Sequence, residues 1–185
     1  MRLPYVQDPP PTSTPDEARI LADIQARRGP NPLLPLDLAL LHSYPIAEGW
    51  NSFFGAIRAQ TTLSVTVREL AICRVAVING ALFEWEQHAP LLQKSGMKDE
   101  GLAIIKNSEI DFADESFSSV LSPKHCIALR YTDAMTKTIK VPDEVLELTT
   151  TIAGYNCVSR ILVALDVGER NKGAEEWLQT TNLTF

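Results

Sequence analysis

From Leu70 to Ile78 every residue but Arg74 is apolar, so the run has no polar face and predicts a fully buried helix. Asn79-Gly80 breaks it, because both residues tolerate a left-handed backbone. A second helix then covers roughly Ala81 to Lys94 and closes at Ser95-Gly96. Thr66-Val-Arg-Glu69 has capping-box spacing at the start of the buried helix. Upstream, Thr14-Pro15-Asp16-Glu17 opens a helix that runs to Arg28 and stops at Gly29-Pro30. Leu33 to Tyr44 reads as a short apolar helix. Pro45 begins another, in which Trp50, Phe53, Phe54 and Ile57 recur at helical spacing as core residues. Lys98 to Lys106 is a short helix, and the polar, acidic residues 107–121 read as loop. Ser122-Pro123 starts a helix to about Lys137 with Ile127, Tyr131 and Ala134 on one side. Pro142 opens the longest helix, through Val145, Leu148, Ile152, Tyr155, Ile161 and Leu165, where Gly154 allows close packing. No segment sustains a period of two, so the expected class is all-α.

Residues 1–13 carry Pro4, Pro9, Pro10 and Pro11 and read as an extended arm that wraps the surface or a partner subunit. Residues 14–185 read as a single domain, with a polar tail from Gly168 anchored by Trp177. A chain of 185 residues, 45% hydrophobic and 22% charged, is long enough for one substantial core. The net charge of −6 and the lack of a basic patch argue against nucleic-acid and anionic-membrane partners. No apolar run of bilayer length and no signal-peptide core stands out. Cys73, Cys126 and Cys157 fit neither a disulfide framework nor a zinc pattern, which points to a reducing, cytoplasmic setting.

The candidate chemistry follows the Asn79-Gly80 break. Ala81, Glu84 and His88 share one helix face, which sets a carboxylate beside an imidazole. A carboxylate within reach of one ring nitrogen fixes the tautomer and frees the other nitrogen for proton transfer, and Glu84 is the expected partner. Glu69 either joins that relay or only caps its helix. Phe83 and Trp85 read as core or pocket wall, and Glu86 and Gln87 as solvated. His42, with Tyr44, lines a pocket or sits in a surface turn, and His125 reads as surface. Tyr155-Asn156 lies in an otherwise apolar helix and is either a pocket feature or an internally bonded pair. Cys73 reads as an inert small hydrophobe. Glu69, Glu84 and His88 also make a three-ligand metal set, but the Glu-x-x-His pairs of di-iron bundles are absent, so neither metal nor cofactor is expected.

These residues resemble the carboxymuconolactone decarboxylase family, which includes alkylhydroperoxidase D. The redox branch of that family carries Glu, eleven residues, Cys-x-x-Cys, three residues, then His. Counted from Glu69, Ala81 and Glu84 take the two cysteine positions and His88 the histidine. Arg68-Glu69-Leu70, Asn79-Gly80 and Phe83-Glu84-Trp85-x-x-His88 look like the family's thiol-free relatives, and Asn31 to Trp50 and Tyr155-Asn156 extend the likeness over most of residues 30–166. The resemblance implies an alkylhydroperoxidase D-like helical bundle and a homo-oligomer (dimer, trimer or hexamer).

Peroxide reduction in the redox branch needs a thiolate and a resolving thiol, which Ala81 and Glu84 do not supply. The resemblance therefore points to a cofactor-free lyase or isomerase acting on a small unsaturated organic acid or lactone. In that reading His88 is the general acid, Glu84 orients it, and Ala81, Phe83, Trp85, His42 and Tyr155 line the substrate pocket. Arg74 or Arg68 is the candidate for a second carboxylate, with a surface position the alternative for each. The rival readings are a non-catalytic binding protein that keeps the fold and, last, a thiol peroxidase working through Cys73.

Overall fold

Helix α4 (Val65–Ile78) is covered on all sides: it packs against α5 (Leu82–Lys94), α6 (Asp99–Lys106), α7 (Pro123–Lys137) and α8 (Leu146–Leu165). Its residues Leu70 to Val77 are all buried, the burial expected of a helix without a polar face. The computed structural model describes residues 2–112, 115–139, 146–174 and 177, and among these all regular structure is helical. The three earlier helices are α1 (Pro15–Arg28), α2 (Pro35–Leu40) and α3 (Tyr44–Ala59). α3 packs against α1, α2 and α8.

Local chemistry sets the boundaries. The Glu17 N–H donates to Thr14 Oγ1 at 3.1 Å, and the Thr14 N–H donates to Glu17 Oε2 at 3.3 Å, closing a capping box on α1. Thr66-x-x-Glu69 is not a capping box. Ser64 is the cap of α4, its Oγ accepting from the Val67 N–H, while the Thr66 hydroxyl donates to Ser95 O. The serine wins because it stands one residue ahead of the first helical turn, and Glu69 is drawn away into the interior. The apolar stretch 33–44 yields only the short α2, and residues 107–121 contain a 3₁₀ turn at Glu115–Ser119. On α7 the buried side holds Ala128, Leu129, Tyr131, Thr132 and Asp133, and Ile127 is exposed, so the inward face is rotated from the expected one. The expected helix start at Pro142 lies outside the described residues.

α4 and α5 form an antiparallel hairpin across Asn79-Gly80, where Gly80 adopts φ 64° and the Ala81 N–H donates to Ala76 O at 2.8 Å. Inside the bundle Arg74 forks onto Asp133 of α7, with Nε to Oδ1 at 2.5 Å and Nη2 to Oδ2 at 2.8 Å. It also donates to the carbonyls of Ile105, Asn107 and Ser108. Arg74 is therefore a buried tie between α4, the end of α6 and α7, and not a ligand for a second carboxylate. Gly154 lets α3 lie close on α8: a Cβ there would come within 3.1 Å of Ile57 Cδ1 and Phe53 Cε1.

α8 corrects one expectation. At 20 residues and a mean hydropathy of 1.2 it is long and apolar enough to cross a membrane by length and composition. Yet Ile152, Tyr155, Val158, Ser159 and Leu162 are buried in the bundle, and the core helix of a soluble protein passes the same test. The proline-rich arm lies on its own chain, the Arg2 N–H donating to Leu165 O at 2.7 Å and the Val6 N–H to Leu38 O at 3.4 Å. Trp177 is buried against Trp85, with ring centroids 6.0 Å apart.

Candidate active site

A cleft of about 1100 Å³ opens between the ends of α1 and α3 on one side and α4, α5 and α8 on the other. Trp50, Phe54, Phe83, Tyr155 and Leu162 give it apolar walls. Glu69 of α4, Glu84 and His88 of α5, and the cations Arg27, Arg28, Arg58, Arg68 and Lys94 are among its polar groups.

At its base His88 Nδ1 lies 2.7 Å from Glu69 Oε2, and both side chains are buried. A carboxylate only accepts, so the proton sits on Nδ1 and the neutral ring presents Nε2 as an acceptor. The edge of the His88 ring meets Tyr155, with centroids 5.1 Å apart at 87°. Burial pushes the Glu69 carboxyl up, but the hydrogen bond and charge of His88 and the nearby Arg68 and Arg58 outweigh it, leaving Glu69 below its ordinary value. Burial lowers the His88 imidazole, which the Glu69 carboxylate only partly restores. The resting pair is therefore a carboxylate and a neutral imidazole, and His88 enters as a base and becomes an acid only after it takes up a proton.

Glu84 does not orient His88. Its Oε2 accepts from Ser159 Oγ of α8 at 2.9 Å, and its Oε1 has no hydrogen-bond partner among the described residues. Although Glu84 and His88 share a face of α5, the Glu84 carboxyl is directed toward α8 while α4 presents Glu69 to the imidazole. Burial pushes the Glu84 carboxyl well above the carboxylate range, and the Ser159 hydrogen bond offsets this only in part. Leaving such a buried oxygen unpaired costs about 1–3 kcal/mol.

The other expected pocket residues divide. Phe83 and Tyr155 line the cleft. Ala81 is buried at the cap of α5, and Trp85 turns away to Trp177. His42 is exposed, its Nε2 2.6 Å from Pro4 O, and Tyr44 donates to Pro11 O, so this pair fastens the arm and does not line the cleft. Asn156 is internally bonded, its Oδ1 accepting from Asn79 Nδ2 at 3.0 Å. Gln87 is exposed, as expected, and borders the cleft. Cys73 is fully buried and burial pushes its thiol up, which disfavours the thiolate a peroxidase needs. Among the described residues no three His, Cys, Asp or Glu side chains converge as metal ligands would.

Sequence reasoning overlooked Ser159 and Arg58. Ser159 did carry a signal, since it stands one turn beyond Tyr155 on the buried side of an apolar helix. Arg58 carried none: it is an ordinary last-turn arginine on α3 until the fold brings it over the cleft.

Residues 45–123 match the family described as the carboxymuconolactone decarboxylase family. This stretch is a carboxymuconolactone decarboxylase family domain. Neither curated proteins nor solved structures give a significant match to the chain. The family domain runs from α3 to the start of α7 and contains Arg58, Arg68, Glu69, Phe83, Glu84, His88 and Lys94. Tyr155 and Ser159 lie beyond it on α8, so the cleft is completed by chain outside the matched segment.

Proposed function

We propose that this protein is a cofactor-free lyase or isomerase that moves a proton on a small unsaturated organic acid or lactone through His88, in the manner of the thiol-free relatives. The observation that carries the reading is the buried hydrogen bond between Glu69 and His88 at the base of a cleft. His88 Nε2 takes a proton from carbon next to a substrate carbonyl, Glu69 stabilises the imidazolium that forms, and the proton returns at the conjugated position. In a decarboxylation His88 instead takes the proton of the substrate's carboxylic acid, and once carbon dioxide has left with its bonding pair remaining on carbon, the imidazolium returns that proton to the dienolate. The apolar walls disfavour a substrate carboxylate at the point where it is lost.

Recognition of an acid is supported by Arg58, which makes no hydrogen bond or ion pair among the described residues yet lies near enough to act electrostatically on Glu69, His88 and Tyr155. Arg27, Arg28 and Arg68 are by contrast already bonded to Asn51, Asp37 and Glu69. In a chain of net charge −6, an unneutralised guanidinium over an apolar cleft suits an anionic ligand.

The test is solvent-deuterium incorporation, read by mass spectrometry, over carboxymuconolactone, related unsaturated lactone acids and β-keto acids. Wild type and His88→Ala are run side by side after circular dichroism has established that both are folded. Label gained by wild type and lost in His88→Ala is the expected result. Equal labelling by the folded variant overturns the mechanism. Binding of an acid without labelling would favour the rival reading of a catalytically silent binding protein.

A further inference from the structure

Glu84 is not used by the proton shuttle, and its setting is unusual. It lies in the cleft wall one turn before His88 on α5, with Oε1 buried and without a partner among the described residues. Buried carboxyl oxygens are bonded as a rule, so an orphan one at the edge of a cleft marks a place where a ligand atom completes the site. Among the described residues the cleft's cations do not bond to it, and no hydrogen-bond donor but the Ser159 hydroxyl reaches the carboxyl, at Oε2. The same hydroxyl lies 2.8 Å from Tyr155 O. One weakly shared donor does not hold a buried negative charge, so the group is kept as the neutral acid. With Oε2 accepting from Ser159, the acid proton belongs on Oε1.

The geometry points to Glu84 as a catalytic residue that touches substrate: its Oε1–H donates a hydrogen bond to the carbonyl oxygen of the group whose neighbouring carbon faces His88 Nε2. The proposal rests on the proton-transfer reading above and narrows its substrate. The reacting carbonyl is a lactone, ester or ketone, neutral in the ground state, and not a carboxylate, which would place a second acidic oxygen against Glu84. As His88 removes the proton, the C–H bond breaks and an N–H bond forms. The C–H electron pair becomes a carbon–carbon double bond, and the carbonyl π pair moves onto oxygen. Glu84 keeps its proton and bonds more strongly to that oxygen as charge develops there, then relaxes when His88 returns the proton to carbon. A buried carboxylic acid held neutral in this way is an established means of stabilising an enolate.

Two measurements separate this proposal from the reading beneath it. Infrared difference spectra of wild type against Glu84→Gln at neutral pH should show the carbonyl band of a protonated acid that the variant lacks. A difference confined to carboxylate bands overturns the proposal and leaves His88 untouched. The second measurement follows exchange of the α-proton of α-angelica lactone in deuterium oxide, with wild type, Glu84→Gln and Glu84→Met. The expected loss for Glu84→Met is about 10²–10³-fold in turnover with KM little changed, and a smaller loss for Glu84→Gln, which keeps an N–H donor. Wild-type exchange by folded Glu84→Met overturns the role of Glu84 alone. Absence of exchange in wild type overturns it together with the lactone chemistry on which it rests, whatever the infrared result.

Discussion

Glu69 and His88 stand on different helices, yet their side chains meet at 2.7 Å. Glu69 lies ten residues before Asn79 and His88 nine after it, so the rise of about 1.5 Å per residue along α4 is almost undone along α5. Any hairpin of these two helices that turns at Asn79-Gly80 brings the two residues level. Their meeting is a consequence of the turn, and the chemistry of the cleft is built on it.

Glu69→Gln tests that pair. The carboxylate holds His88 higher than burial alone would, so its removal lowers the imidazole further below its ordinary value. The amide also offers an N–H that favours the wrong tautomer. Turnover should fall by about 10²-fold or more. An NMR titration of the His88 ring that is unchanged in the variant would show the hydrogen bond to be absent in solution.

Glu84→Gln should change how stability depends on pH. The Glu84 carboxyl is raised in the folded protein, so its contribution is fully present below the unfolded value of 4.5 and is lost as pH rises through the folded value. The stability of Glu84→Gln relative to wild type should therefore grow as pH rises from 4.5 toward the folded value, by up to about 1.4 kcal/mol per unit for one proton, and level off above it. Urea denaturation of both proteins across the pH range measures it, and a constant difference would show Glu84 to be ionised in the folded state.

Arg74→Met should cost about 3–5 kcal/mol by removing the partner of a buried charge. Among the described residues Asp133 would keep only Lys137 as an ion-pair partner, at 3.2 Å on the same helix. Equilibrium denaturation gives the figure. A raised KM with stability unchanged would instead return Arg74 to substrate binding.

Arg58→Ala should weaken an acid substrate by about tenfold or more, the usual range for a hydrogen bond to a charged group, and Arg58→Lys by less. Its charge also lowers both Glu69 and His88, so the His88 titration should move upward in Arg58→Ala. Unaltered KM for every acid turned over would remove Arg58 from recognition.

The sequence by itself determined the all-α class and the central place of α4, because a helix with no polar face has to be enclosed. The break at Asn79-Gly80 and the capping box at Thr14 were legible for the same reason: both are set by residues within one turn of one another. The spacing of Glu69, Glu84 and His88 also stood in the sequence. Only the tertiary structure decided which carboxylate served the imidazole. Helical spacing puts Glu84 and His88 on one face but leaves open which neighbouring helix each side chain meets, and α4 supplied Glu69 to one while α8 supplied Ser159 to the other. Arg74 shows the same limit: an arginine in an apolar run is either an anion site or a buried tie, and the choice lay with Asp133, 59 residues further along the chain. Tertiary packing likewise left Arg58 without a partner among the described residues and over the cleft, since the absence of a partner is a property of the neighbours that the fold assembles and not of the residue.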